Sequence, residues 1–430
     1  MKNCIIRIFI FVILFFSFTS IGRGEMRIRI TTATLKPTVV LMFPFLAVTS
    51  ESQLTGSRLK DAIVDDLATT GYFKIIDEST PCGFSTDIAD IVADSAGSGA
   101  DYVVFGTILE KGYNNILLNI KIFDRNKGEI VLSRIYTSKK EHYRWVAHRI
   151  CDEFFQVITG KYGPFEDRLL LSKGNNKYKE IYISDYDGHG VKKLTKWKTI
   201  NILPKWIDNS SFFFTSYKTG KPASYRYDLP TGKVKLFFNH KGLSITPIPF
   251  KDNLYAISLS FNDNIDIYLI KKNNKITKRL TFDKNIDVSP TFSPDRTKMA
   301  FVSKRHGSPQ IFIKDLSTGR VKRLTYDGSY NTSPSWSPTS NYITYVSVHK
   351  STSKLCIIKS DGSQMKELVE AESIDCPSWS GDGRFIAYLS QARGKSYVCV
   401  VCVTTGHKRV VLQTDELYNG LSWLSAIKKQ

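Results

Sequence analysis

The stretch SPTFSPDRTKMAFVS, Ser289–Ser303, returns as CPSWSGDGRFIAYLS at Cys376–Ser390. Its core is Pro-x-aromatic, found at Pro204-Lys205-Trp206, Pro290-Thr291-Phe292, Pro334-Ser335-Trp336 and Pro377-Ser378-Trp379. Weaker copies, Pro247-Ile248-Pro249 and Leu421-Ser422-Trp423, complete a series with third positions at 206, 249, 292, 336, 379 and 423. A leucine keeps step at Leu194, Leu236, Leu280, Leu324, Leu368 and Leu412, with a threonine after it at Thr195, Thr281 and Thr325. Turn pairs move with them at Asp187-Gly188, Thr231-Gly232, Thr318-Gly319, Asp361-Gly362 and Thr405-Gly406; the copy before Leu280 has Asn273-Asn274 instead. Three markers on one period mean that a single supersecondary unit is stacked on itself.

Within a copy, Lys298–Ser303, Gln310–Lys314 and Arg320–Thr325 are strand-like, as are Tyr342–Ser347, Lys354–Lys359 and Lys366–Val369. With the segment before the aromatic residue this makes four strands, the composition of a β-propeller blade. Leu169–Ser172, Glu180–Ser184 and Val191–Thr195 have no Pro-x-Trp before them, and Trp423 has only seven residues after it. These incomplete sets are expected to pair, so that both ends of the chain seal a six-bladed ring over 165–430 and remove its free sheet edge.

Upstream, Thr38–Phe43, Tyr72–Asp77, Asp101–Ile108, Leu117–Asp124 and Ile130–Tyr136 are strand-like. Helices are expected over Leu54–Thr70, Ser85–Ser95 and Glu141–Thr159, the last stopped by Gly160. This is a small α/β domain at 35–160, joined by a linker at 161–164 to the all-β propeller.

Residues 1–24 have a basic start at Lys2 and Arg7, an apolar run from Ile8 to Ser20, and small residues at Gly22 and Gly24. That order is a secretory signal peptide, expected to be cleaved after Gly24; its apolar run is shorter than the ~20 residues of a spanning helix. The 430-residue chain carries a net charge of +20, with 42% apolar and 12% aromatic residues, which excludes a disordered chain. Between Glu25 and Pro164 the balance is −1, and from Phe165 onward it is +18. The propeller therefore either presents a solvated lysine-rich surface or carries a positive field that attracts an acidic protein, a lipid headgroup or a cell-wall polymer. Nucleic acid is not expected as a partner, because the chain is exported and carries no aromatic-basic RNA motif.

Cys82, Cys151, Cys356, Cys376, Cys399 and Cys402 are too sparse for a disulfide scaffold. Cys399-Val-Val-Cys402 lies in a strand-like run, where positions three apart face opposite ways, so buried thiols are expected and no metal or cofactor. No G-x-S-x-G elbow occurs, and Ser380–Phe385 is only a turn resembling a sialidase Asp box. A calcium-dependent lactonase-type hydrolase is the rival reading, since Asn201, Asp287 and Asn331 mimic oxygen ligands in a channel. A binding protein that is not an enzyme is the reading preferred.

The connection from each Leu-Thr to the next Pro-x-Trp must run inward to the channel mouth. Asn201, Ser244, Thr246, Asp287, Ser289, Asn331, Ser333, Asp375 and Asn419 lie there and form the expected partner-binding ring, with turn capping as the alternative role. In the N-terminal arm at 25–34, Met26, Ile28 and Ile30 alternate with Glu25, Arg27 and Arg29. That is strand periodicity, suited either to a partner's sheet edge or to the arm's own domain.

EMRIRI (Glu25–Ile30), GYFKIID (Gly71–Asp77), GADYVVFGTI (Gly99–Ile108) and HRICDEFFQVITGKYGPFEDR (His148–Arg168), joined to the SPxWSPDGxxIAFxS repeat, resemble the TolB family. The resemblance covers Glu25 to Gln430. It implies a periplasmic propeller of the Tol–Pal envelope system, monomeric on its own. Its inner loops would engage a peptidoglycan-associated lipoprotein, and its arm Glu25–Ile30 an inner-membrane TolA-like protein, in outer-membrane integrity and cell division.

Overall fold

The computed structural model describes residues 36–79, 90, 93, 95–272 and 275–424. The signal segment, the arm Glu25–Ile30, Cys82, most of the helix expected over Ser85–Ser95, and Asn273-Asn274 lie outside the described residues. The chain divides into two compact units, one formed by 168–401 with 410–424, the other by 36–167 with 402–409.

In the N-terminal unit the strands are β1 (Thr38–Met42), β2 (Leu46–Ala47), β3 (Phe73–Asp77), β4 (Tyr102–Lys111), β5 (Asn115–Asp124) and β6 (Glu129–Lys139). They form one sheet of order β3-β1-β4-β5-β6, with β2 added to β4. β1 is parallel to β3 and β4, while β4, β5 and β6 form antiparallel pairs. Helix α1 (Ser50–Thr69) begins at Thr49, whose hydroxyl accepts from the Ser52 amide, and helix α2 (Tyr143–Thr159) ends at Gly160 with φ 72°. α1 starts four residues earlier than the apolar spacing suggests, because this cap satisfies its first turn. His148 of α2 and Asp66 of α1 form a buried pair 2.7 Å apart. Phe165, expected to open the propeller, is instead fully buried in this unit with its ring 5.7 Å from Phe155.

The propeller unit contains six four-stranded antiparallel sheets among the described residues. In chain order the first five blades begin with innermost strands Asn201–Asp208, Ile248–Pro249, Asp287–Phe292, Tyr330–Trp336 and Ser373–Trp379. The sixth joins Leu417–Leu424 to Arg168–Gly174, Lys179–Asp185 and Lys192–Lys193. The expected third strand, Val191–Thr195, thus shrinks to two residues. The closing register sets Trp423 opposite Leu169 and Leu417 opposite Gly174.

The repeated Pro-x-Trp stitches blade to blade. Trp379 Nε1 donates to the Ser335 carbonyl at 2.9 Å, and Trp206 Nε1 to the Ser422 carbonyl at 3.2 Å. In return, the backbone amides of Trp336 and Trp423 donate to Thr291 Oγ1 and Ser378 Oγ, each at 3.0 Å. One residue triplet therefore supplies an apolar plug and both polar stitches. The bond from Trp206 to Ser422 joins the first blade to the sixth.

Gly420 has φ 138°, and a Cβ there would sit 2.8 Å from the Leu203 backbone and from Pro204 Cδ. The seam between the last blade and the first closes only because this position has no side chain. Trp423→Ala is expected to cost ~3–5 kcal/mol, the usual loss for a large buried aromatic. Gly420→Ala is expected to cost ~1–3 kcal/mol through backbone conformation and crowding. Denaturant unfolding of both variants checks this; midpoints equal to the parent's would refute the closure model.

Candidate functional site

The innermost strands carry the site. In five of the six, the register slips at the same place: between Ile202 and Lys205, Val288 and Thr291, Thr332 and Ser335, Asp375 and Ser378, and Tyr418 and Leu421. At each slip one residue takes positive φ: Leu203 (53°), Ser289 (56°), Ser333 (52°), Cys376 (51°) and Gly420 (138°). Four of the five have a Cβ, for which this backbone is unfavourable, and those four also precede proline. Such strain persists only where the surrounding packing dictates it, and it clusters at functional positions.

The slip divides the predicted ring. Two residues before it, Asn201, Asp287 and Asn331 are completely buried, as is Ser244 in the second blade, whose inner strand has no slip. They do not line the mouth, as had been expected. Asn201 Nδ2 donates to Glu180 Oε2 and to the Lys179 carbonyl, both at 2.9 Å. Asn331 Nδ2 donates to Gln310 Oε1 at 2.7 Å and to the Asp327 carbonyl at 2.6 Å. Thr195 and Thr325, the threonines of the Leu-Thr marker, donate to the same Glu180 and Gln310. They accept from the Ile181 and Ile311 amides. The Leu-Thr marker is thus the polar clasp that fastens an outer strand to the next blade's inner strand. Thr246 is also buried, 2.7 Å from Thr215 Oγ1.

Asp287 occupies the same position but holds a cation: Arg305 donates to both its oxygens, at 3.2 and 2.9 Å. Burial pushes this carboxyl above its ordinary value, opposed by Ser303 and Arg305. Asp287 spends both carboxylate oxygens on Arg305, whereas Asn201 and Asn331 donate through Nδ2 and keep a buried Oδ1 without a hydrogen-bond partner. Only at Asp287 would a calcium ion have to displace an existing partner, Arg305.

In the last two repeats the equivalent positions are Ile374 and Tyr418, so Asp375 and Asn419 stand one residue along, on the other side of the strand. There Asp375 is exposed and Asn419 half-buried. Ser289 is exposed and Ser333 half-buried, with Ser333 Oγ donating to Asp375 Oδ1 at 2.7 Å. The same oxygen accepts from the Cys376 amide at 2.7 Å. This accessible subset, Ser289, Ser333, Asp375 and Asn419, occupies consecutive blades from the third to the sixth.

One inner-strand residue escaped the sequence reading. The middle position of Pro-x-aromatic is uncharged in five blades (Ile248, Thr291, Ser335, Ser378, Ser422) and lysine in one, Lys205. The signal was present in the repeat alignment, but a lysine in so basic a segment reads as solvated surface. Burial pushes its ammonium below the ordinary lysine value, while Cys376 and Asp375 act in the opposite sense. Burial also pushes the Cys376 thiol well up. Cys399 and Cys402 are buried and form no disulfide.

Six four-stranded sheets, a seam made by strands from both ends of the repeat region, and stitches of Pro-x-Trp define a closed propeller. A family model described as the TolB beta propeller domain matches residues 155–425, and the chain belongs to that family. It is 30% identical over 288 residues to a protein TolB homolog of Chlorobium luteolum, covering 64% of each chain. It is 32% identical over 253 residues to the Tol-Pal system protein TolB of Desulfosudis oleivorans, covering 57% of each. These alignments span less than two thirds of either relative. The crystal structure of TolB from Acinetobacter baumannii superposes with a TM-score of 0.79 at 24% identity, over 93% of this chain and 99% of that one.

Removing the partner of a buried charge costs ~3–5 kcal/mol, and Arg305→Ala is expected to destabilise the propeller by that order. A carboxyl whose folded pKa is raised binds more protons folded than unfolded, so its contribution worsens as pH rises past the ordinary carboxylate range. Arg305→Ala should therefore recover stability relative to the parent as pH is lowered toward that range. Urea melts at a series of pH values check this; a pH-independent difference would detach the loss from the Asp287 charge.

Proposed function

We propose that this protein is an exported, periplasmic member of a Tol–Pal-like system that binds other proteins and catalyses no reaction. Its propeller engages the periplasmic domain of a peptidoglycan-associated lipoprotein, and its arm Glu25–Ile30 engages an inner-membrane TolA-like partner. In that position it would couple the two membranes in outer-membrane integrity and in constriction at division. The reading draws on family membership, on the name of the Desulfosudis relative, and on the signal-like segment 1–24. No helix among the described residues is long and apolar enough to cross a membrane.

The observation that carries the reading is the division of the ring. The buried clasps fix the inner strands, while Ser289, Ser333, Asp375 and Asn419 stay at least partly accessible on successive blades, the first two in positive-φ backbone and the last two directly before it. Rigid inner strands with exposed polar groups suit a protein surface, which needs hydrogen-bonding groups held in register.

Ser289→Trp and Asp375→Ala together are expected to weaken lipoprotein-domain binding at least tenfold, from steric fill and lost hydrogen bonds of ~1–3 kcal/mol each. Deleting Glu25–Thr34 is expected to leave that affinity unchanged and abolish capture of the inner-membrane partner. Calorimetric titration reads the first and pull-down the second. A folded double variant that binds like the parent would take the inner strands out of the interface.

A further inference from the structure

In two neighbouring blades the Leu-Thr marker sits inside one longer pattern, Arg-Leu-Thr-aromatic: Arg279 to Phe282 at the end of the second blade, Arg323 to Tyr326 at the end of the third. The geometry repeats with the sequence. Arg279 Nε donates to the Thr281 carbonyl at 2.9 Å, and Arg323 Nε to the Thr325 carbonyl at 2.6 Å. Each guanidinium is thereby folded over the ring three residues on, 5.0 Å from the Phe282 centroid and 4.6 Å from that of Tyr326. Both rings nevertheless stand in solvent, Phe282 70% and Tyr326 66% exposed. An exposed ring gains little from burial, so core packing does not account for the repeated device.

The two devices meet on the third blade. Its strands Gln310–Asp315 and Val321–Arg323 pair with Phe312 opposite Arg323 and Lys314 opposite Val321. Alternation puts Phe312, Lys314 and Arg323 on one face, with Lys314 and Arg323 as diagonal neighbours at ~7–8 Å. Phe312 packs in the core shared with Leu280 and Ala256, so that face looks toward the second blade. There Lys314 Nζ lies 5.9 Å from the Phe282 ring. The result is a row, Phe282, Lys314, Arg323, Tyr326, with an aromatic ring at each end and two cations between.

Those two cations are not neutralised. Among the described residues Lys314 has no ion pair or hydrogen bond, and the Arg323 side chain has only its bond to the Thr325 carbonyl. Arg279 and Arg305 differ, being paired with Asp266 at 2.6 Å and Asp287 at 2.9 Å. Burial pushes the Lys314 ammonium below the ordinary lysine value; Lys278 and Arg305 act in the same sense, and Asp287 in the opposite one. The acids that follow the rings are Asp283, which accepts from the Asn285 amide and faces Arg305 at 3.9 Å, and the exposed Asp327. Exposed Lys278, Lys284 and Lys322 outnumber them.

We infer that this row binds an acidic polysaccharide, a strand of sugar rings that carry carboxylates. The C–H face of a sugar stacks on each exposed aromatic ring, and a carboxylate between them meets Lys314 and the outer nitrogens of Arg323. A device repeated from blade to blade suits a ligand that itself repeats. Aromatic anchors for a protein would sit in a desolvated pocket, whereas these rings stand in water among cations. The site lies apart from the accessible inner-strand groups and does not depend on the partner reading above.

Calorimetry on the full chain compares hyaluronan hexasaccharide, which alternates glucuronate with N-acetylglucosamine, with chitohexaose, which has the rings without the charge, and hexaglutamate, which has the charge without the rings. Hyaluronan is expected to bind, and the other two at least tenfold more weakly. No binding of hyaluronan, or equal binding of chitohexaose, would overturn the inference; equal binding of hexaglutamate would overturn it in favour of an acidic protein. Phe282→Ala with Tyr326→Ala is expected to lose at least tenfold in hyaluronan affinity at an unchanged melting temperature, and Lys314→Met to lose a like amount. Lys366→Met, which removes an exposed cation from the outermost strand of the fourth blade, is expected to change nothing. If the paired alanines lower the melting temperature, Lys314→Met decides. Parental affinity in Lys314→Met, or an equal loss in Lys366→Met, would overturn the site and leave only the general charge of the propeller.

Discussion

Everything in the propeller depends on one pairing, Leu417–Leu424 against Arg168–Gly174. A four-stranded blade has two faces and covers neither by itself. Each blade is buried only because its neighbours lean on it, and an open ring would leave two blades with an uncovered face and a free edge. The pairing removes both defects at once. It also sets the diameter of the ring, because Trp206 then reaches the Ser422 carbonyl and Gly420 closes on Leu203. The inner strands are held where they are by this closure, and the accessible groups on them inherit their positions from it.

Between blades the structure uses polar clasps where an apolar core would also have served. Thr195, Glu180 and Asn201 form one, and Thr325, Gln310 and Asn331 form another. The third-blade variant splits the task, with Asp266 receiving Thr281 and Arg279 while Asp287 receives Arg305. Hydrogen bonds that point in fixed directions define the angle between successive blades more sharply than apolar contact does. A ring of six units multiplies any error in that angle, so directional bonding has a clear physical use here.

The repeat period, the four-strand blade and the closing strand could all be read from the residues, because Pro-x-Trp and Leu-Thr each mark a fixed place in the blade. The side-chain directions of the ring could not. Alternation assigns faces along a strand only while the strand is regular, and an inserted residue reverses every face after it. The slips at Leu203, Ser289, Ser333 and Cys376 occur without glycine, so nothing in the residue types announced them. Asn201, Asp287 and Asn331 were thereby placed at the mouth when they lie within the clasps. Lys205 was missed for the opposite reason: its residue type was plain, but only the ring places the fifth blade's charges within its reach.

The seam also has a consequence in time. A chain delivered amino end first presents Arg168–Gly174 long before Leu417–Leu424 arrives, and until then the two ends of the unclosed ring wait with an unmatched flank. Contacts so distant along the chain are slow to form. During that interval the strand Arg168–Gly174 (RLLLSKG), with three consecutive leucines, is an available template for any other extended chain nearby. The vulnerable moment for this protein therefore falls during delivery, and helpers that shield a strand edge would act on the sixth blade before any other.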